Sequence, residues 1–138
     1  MEGFHFTIPY CVRVADVNYG GHVSNAAVMS FFQDARIAYL AHLGPYSELD
    51  IGEGRGIILP EAHVCYLAEM FLGDDLEIGV KIEEMRGSSF IMRYRIERQG
   101  AVTAEGTTNL AAFDYSIRKV ARVPQAFRRA VEGVESAG

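Results

Sequence analysis

The sequence predicts an α+β domain in which a curved antiparallel sheet of five or six strands wraps one long central helix. Three observations lead there. The stretch Asp16–Leu40 turns from a glycine-containing loop into a helix that is apolar on more than one side, through Val28, Phe31, Phe32, Ala35, Ala38, Tyr39 and Leu40. A helix lying on a sheet with its back to water shows one apolar stripe, so this one needs a second cover. Nearly everything from Ile57 to Tyr115 then carries strand periodicity, punctuated only by short turns. Strands in succession beside a single long helix indicate segregated α and β elements with antiparallel pairing.

The elements follow in order. Residues 5–14 alternate Phe6, Ile8, Tyr10, Val12 and Val14 against polar neighbours and read as a first strand, with Pro9 suggesting an edge or a strand start. The turn Asn18-Tyr19-Gly20-Gly21-His22 leads to the helix. Ser24 or Asn25 can cap it, because either side chain can accept an N–H of the first turn. Gly44-Pro45 ends the helix after Leu43. Residues 45–56 read as an irregular loop with at most one helical turn. Ile57–Leu67 is one long strand or two short ones. Phe71–Asp75 is a turn, Leu76–Met85 a strand, Gly87-Ser88-Ser89 a break and Phe90–Arg98 a strand. Gln99-Gly100 is a hairpin turn, Ala101–Tyr115 the last strand, and a short helix follows Pro124 with Phe127, Ala130, Val131 and Val134 at helical spacing.

Composition narrows the function. The chain has 138 residues, expected to form one domain over 1–138, with 49% apolar and 22% charged residues. A net charge of -5 argues against general nucleic-acid binding. No apolar run is long enough to span a bilayer, and Met1–His5 shows no leader-like pattern, so the expected location is the cytoplasm without membrane attachment. Cys11 and Cys65 sit in apolar strand contexts and read as buried free thiols. The four histidines are isolated, so no metal site is expected. Arg118, Lys119, Arg122, Arg128 and Arg129 cluster near the end, as a solvated surface or as an anion pocket for a phosphorylated ligand.

The run Arg13-Val14-Ala15-Asp16-Val17-Asn18-Tyr19-Gly20-Gly21-His22-Val23-Ser24-Asn25, with Phe31-Phe32-Gln33-Asp34-Ala35-Arg36, resembles the opening of hotdog-fold acyl-CoA thioesterases of the 4-hydroxybenzoyl-CoA thioesterase type. Tyr66–Asp74, Gly87-Ser88-Ser89-Phe90, Phe113-Asp114-Tyr115, Arg118-Lys119 and Pro124 extend the resemblance in order over nearly the whole chain. The resemblance implies a hotdog fold, dimers or tetramers with active sites at the dimer interface, an acyl-CoA substrate and no separate cofactor. It implies hydrolysis of the thioester, with backbone N–H groups of Gly21, His22 and Val23 stabilising the oxyanion.

One departure matters. The position of the family's catalytic Asp holds Asn18, and a carboxamide has no basic lone pair to offer a water. Asp16 either bonds turn N–H groups or supplies the missing carboxylate. Glu61, which alternation puts on one strand face with His63 and Cys65, is the other candidate, or part of a solvent-side stripe. His22 either pins the loop or acts on protons through its imidazole. Asp34 and Arg36 read as a buried structural pair. Arg86, Ser88, Ser89, Arg118 and Lys119 occupy positions that the resemblance links to the nucleotide and phosphates of CoA, where cations are the natural partners. Asn18 also opens a second reading, a non-hydrolytic acyl-CoA-binding protein. A dehydratase or hydratase on the same fold is a third.

Overall fold

A computed structural model describes residues 1–136. The element order is β1 (Phe6–Cys11), a short 3-10 turn (Val14–Asp16), α1 (Asn25–Leu43), β2 (Gly56–Tyr66), β3 (Asp75–Glu83), β4 (Ser89–Arg98), β5 (Ala101–Asp114), β6 (Lys119–Val120) and α2 (Gln125–Glu135). The strands form one antiparallel sheet in the order β1-β3-β4-β5-β2, with β6 attached to β5. The Asn25–Leu43 helix packs against the curved sheet.

Alternation puts one face of three strands against α1. Leu76, Ile78, Val80 and Ile82 of β3, Phe90, Met92, Tyr94 and Ile96 of β4, and Ala104, Leu110 and Ala112 of β5 are all buried. Phe31, Phe32, Ala35, Tyr39 and Leu40 meet them from the helix. The opposite sheet face is charged, with ion pairs Glu83–Arg93 at 2.7 Å and Arg95–Glu105 at 3.5 Å. α2 closes the far end of the core through buried Phe127 and Val131.

Gly106 is a point of close approach between helix and sheet. A Cβ there would lie 2.6 Å from Phe32 Cε2 and 2.8 Å from the His63 carbonyl oxygen. The Phe32 ring occupies that space and stacks on Tyr94 with centroids 4.6 Å apart. Beside it, buried Arg36 donates to the Tyr94 hydroxyl at 2.9 Å, and Tyr94 is bonded to Thr108 at 2.7 Å. Burial, first, pushes the Tyr94 hydroxyl above its ordinary pKa.

Several expectations change. Arg36 is indeed buried, but its partners are Tyr94 and, at 3.7 Å, Glu48, whereas Asp34 is exposed and not its partner. Cys11 and Cys65 are free yet exposed, because both lie on edge strands. Val14 is exposed, since the chain leaves the sheet at Cys11 and turns before reaching it. The Pro45–Arg55 loop contains no helical turn and is anchored by fully buried Ile51. β2 is one strand, with an irregularity between Ile58 and Glu61 next to Pro60. The helix also keeps an exposed stripe through Ser30, Gln33, Ile37 and Ala41, so the elements of this one chain do not close around it.

Candidate active site

The loop before α1 is built by its own hydrogen bonds. Asn18 N–H donates to the His22 carbonyl at 3.0 Å, Gly21 N–H to the Asn18 carbonyl at 3.0 Å, and Ser24 N–H to the Asp16 carbonyl at 2.9 Å. Asn18 Oδ1 accepts the Gly20 amide at 2.9 Å. Gly21 sits at φ 83, where a residue without Cβ is unstrained. Ser24 caps the helix, its Oγ accepting the Ala27 amide at 3.1 Å.

Asp16 is engaged inside this loop through one carboxylate oxygen. Its Oδ2 accepts the Tyr10 hydroxyl at 2.6 Å and the Arg13 amide at 2.9 Å. Burial and then that bond to Asp16 push the Tyr10 hydroxyl up to about 12. Asp16 therefore holds the turn to β1.

The expected backbone donors are redistributed. Gly21 N–H is used by Asn18, and Val23 N–H donates to the Met70 carbonyl at 2.7 Å. The amides of His22 and of Asn25, the first residue of α1, have no partner among the described residues. Both residues line a cavity of about 240 Å³ at the start of α1, with Val23, Val28, Tyr66, Leu67, Ala68, Glu69 and Met70. A nineteen-residue helix points its N-terminal partial positive charge at that cavity. The Tyr66 hydroxyl donates to the Asn25 carbonyl at 3.1 Å and ties the end of β2 to the helix start.

The His22 imidazole belongs to the loop as much as to the cavity. Its Nδ1 lies 3.1 Å from the Val23 carbonyl oxygen. A carbonyl can only accept, so Nδ1 carries the hydrogen. The other edge of the ring rests over Gly20, where a Cβ would stand 3.2 Å from Cδ2 and Nε2 and 3.2 Å from Asn18 Oδ1.

A β-bulge sets the opposite wall. Ile96 faces Ala104 and Glu97 faces Val102, which leaves Thr103 unpaired and turned inward. Its carbonyl accepts the amides of Leu67 at 2.9 Å and Ala68 at 3.1 Å. Its hydroxyl meets Met70 Sδ at 3.1 Å. Arg98 Nη1 then donates to the Glu69 carbonyl at 2.8 Å and to Asp74 Oδ2 at 3.0 Å. The Phe71 amide, first, and Arg98 hold the Asp74 carboxyl below its ordinary pKa.

Glu61 is elsewhere. Tyr66 points toward α1, so strand alternation turns Cys65, His63 and Glu61 to the outer face. His63 Nε2 and Cys65 Sγ are 3.6 Å apart there. Among the described residues, no group of three or more metal-ligating side chains forms.

The basic residues separate into two groups. Arg86 joins Arg55, Arg122 and Arg128 around a second cavity of about 570 Å³, with Glu53 and Gln125 at the start of α2. Arg55 donates to the Arg122 carbonyl at 2.8 Å, and Arg128 to the Arg86 carbonyl at 2.7 Å. Ser88 and Ser89 are half-buried and do not line it, Arg118 lies on the exposed β5–β6 turn, and Lys119 is the exposed first residue of β6. Sequence reasoning missed Arg55, which hides in a glycine-rich loop, and the cavity role of Asn25 and Glu69, which are distant in sequence from each other.

The fold and this loop-to-helix site belong to a known class. The family model of the thioesterase-like superfamily matches residues 12–131. The chain belongs to that superfamily, and it is a hotdog-fold thioesterase. It is 32% identical over 102 residues to an acyl-CoA thioester hydrolase, YbgC, of Escherichia coli O6:H1, covering 74% of this chain and 72% of that one. It is 24% identical over 126 residues to the acyl-CoA thioesterase YbgC of Haemophilus influenzae, covering 91% and 93%. Among solved structures it resembles a thioesterase of Thermus thermophilus complexed with coenzyme A and Zn, with TM-score 0.89, 29% identity, and 100% and 99% of the two chains covered. No helix among the described residues is long and apolar enough to cross a membrane.

Proposed function

We propose that this thioesterase hydrolyses acyl-CoA, releasing CoA and a carboxylic acid. The observation that carries the reading is a cavity at the start of α1 lined by His22 and Asn25, whose amides have no partner among the described residues. Aimed at a thioester carbonyl oxygen, each N–H stabilises the tetrahedral oxyanion, and one such donor is worth about 3 kcal/mol. Val28, Leu67 and Met70 give the acyl group an apolar wall.

The arginine cavity supports the same substrate. CoA carries several phosphate charges, and Arg55, Arg86, Arg122 and Arg128 surround a space with the start of α2 beside them. This cavity lies near the Gly56 end of β2, while the catalytic cavity lies at the Tyr66 end. Eleven residues of strand separate them by about 33 Å. β2 is an edge strand, and β2 of a second copy running antiparallel to it would set the arginine cavity of one copy beside the catalytic cavity of the other. The exposed stripe on α1 fits such an assembly, so we take the working unit to be a homodimer or a homotetramer. Two free cysteines fit a reducing, cytoplasmic setting.

The test is incubation of purified protein with short, long and aromatic acyl-CoAs in the presence of a thiol reagent. Release of free thiol above background is expected, and none from any substrate would sink the reading. Asn18 favours one second reading, a protein that holds acyl-CoA without cleaving it. Saturable CoA binding with no turnover would establish that alternative.

A further inference from the structure

We propose that Glu69 is the base of this site, the carboxylate that takes a proton from the attacking water in place of the amide at position 18. This rests on the hydrolase reading and supplies the group it lacks. Three carboxylates compete for the role, and the structure separates them. Asp16 Oδ2 already accepts from Tyr10 and Arg13 at 2.6 and 2.9 Å, in the turn to β1. Glu61 lies on the outer sheet face, opposite Asn109 and turned away from α1. Glu69 lines the catalytic cavity together with both unpartnered amide donors.

His22 is the other proton acceptor in reach, with Nδ1 committed to the loop and its free lone pair on Nε2 at the Gly20 edge of the ring. Nδ1 donates to the Val23 carbonyl, and the Nε2 edge rests against Gly20 beside Asn18. Glu69 shows the opposite arrangement. Its backbone is fixed on both sides, by the Ala68 amide bonded to the Thr103 carbonyl before it and by its own carbonyl bonded to Arg98. Its side chain has no hydrogen bond or ion pair among the described residues and is open to water. A rigid backbone with an unengaged carboxylate at the cavity wall is what a general base toward water requires.

The step balances. A water oxygen forms a bond to the thioester carbon as one of its protons passes to Glu69. The carbonyl electrons move to the oxygen facing the His22 and Asn25 amides. Collapse breaks the C–S bond, CoA leaves as the thiolate, and the proton held by Glu69 goes to sulfur through solvent. The products are the carboxylic acid and the free thiol.

The experiment measures kcat and KM of the wild type, Glu69→Gln, Glu69→Ala and Glu61→Gln on the best acyl-CoA found. Glu69→Gln is expected to lose about 100-fold or more in kcat, with KM within about threefold of wild type. Added formate is expected to restore part of the activity of Glu69→Ala, a readout that loss of folding cannot mimic. Glu69→Gln within about threefold of wild-type kcat overturns the assignment while leaving the hydrolase reading intact, as does a comparable loss confined to Glu61→Gln. Absence of any wild-type turnover overturns both.

Discussion

Gly106→Ala probes a close contact between the helix and the sheet. The new methyl would stand 2.6 Å from Phe32 Cε2, 3.1 Å from Cζ and 2.8 Å from the His63 carbonyl oxygen. Carbon contacts relax at about 3.5–4 Å, so the overlap with the ring is roughly 1 Å. Phe32 has nowhere to go, being fully buried and stacked on Tyr94. The His63 oxygen belongs to β2 backbone, which is held in register with β5 on both sides of this point. Overpacking of this kind costs about 2–3 kcal/mol. For a chain of this length that corresponds to a Tm lower by about 8–12 °C. Thermal unfolding followed by circular dichroism measures it. Phe32→Ala alone should cost about 3–5 kcal/mol through its cavity. In the double variant the ring is absent and only the His63 contact remains, so the two losses should fall short of their sum by about 1 kcal/mol. A Gly106→Ala protein melting within about 2 °C of wild type, or strictly additive losses, would refute the reasoning.

Three further outcomes are expected. Asp74→Asn should destabilise the fold by about 1 kcal/mol at neutral pH, because it weakens charge-assisted bonds to Phe71 N–H and Arg98. Since folding lowers the Asp74 pKa, its stabilisation is present above the ordinary carboxylate range and disappears as pH falls through the lowered value. Urea unfolding should therefore show the gap between wild type and variant closing in acid, and an equal gap at both pH values would contradict this. Asn18→Asp keeps an oxygen for the Gly20 amide and adds a second carboxylate beside the loop, so thiol release should rise about tenfold or more; no change would mean that position 18 is out of reach of the reacting water. Replacing Arg55 and Arg122 together by Gln should raise KM for acyl-CoA about tenfold with kcat nearly unchanged, an effect that shrinks at high salt. A loss in kcat instead would move these residues from binding to catalysis.

Most of the fold was legible because each element carries its own local evidence. Ser24 before an apolar helix, Gly44-Pro45 after it, Gln99-Gly100 between strands and the strict alternation of β3 and β4 all act within a few residues. Boundaries moved by one to three residues, and β6, only two residues long, had no periodicity to announce it. The buried polar partner of Arg36 was misread because Asp34 is near in sequence while Tyr94, 58 positions away, is near in space. The cysteines were misread because apolar alternation does not say that a strand lies at a sheet edge.

The sequence by itself determined the order of elements, the core-facing side of the central strands, the capped helix with its glycine-bearing entry, and the amide at position 18 two residues after the retained Asp16. These follow from local propensity and period, which act over a turn of helix or a pair of strand residues. Only the tertiary structure decided which carboxylate lines the cavity at the start of α1. The unpaired Thr103 turns inward, catches Leu67 and Ala68, and with Arg98 brings Glu69 to the start of α1 more than forty residues from Asn25. Likewise the amides of Gly21 and Val23 were consumed and those of His22 and Asn25 left open. Whether a given N–H is already paired, and which carboxylate faces it, depends on contacts between segments distant along the chain, and no local pattern encodes those.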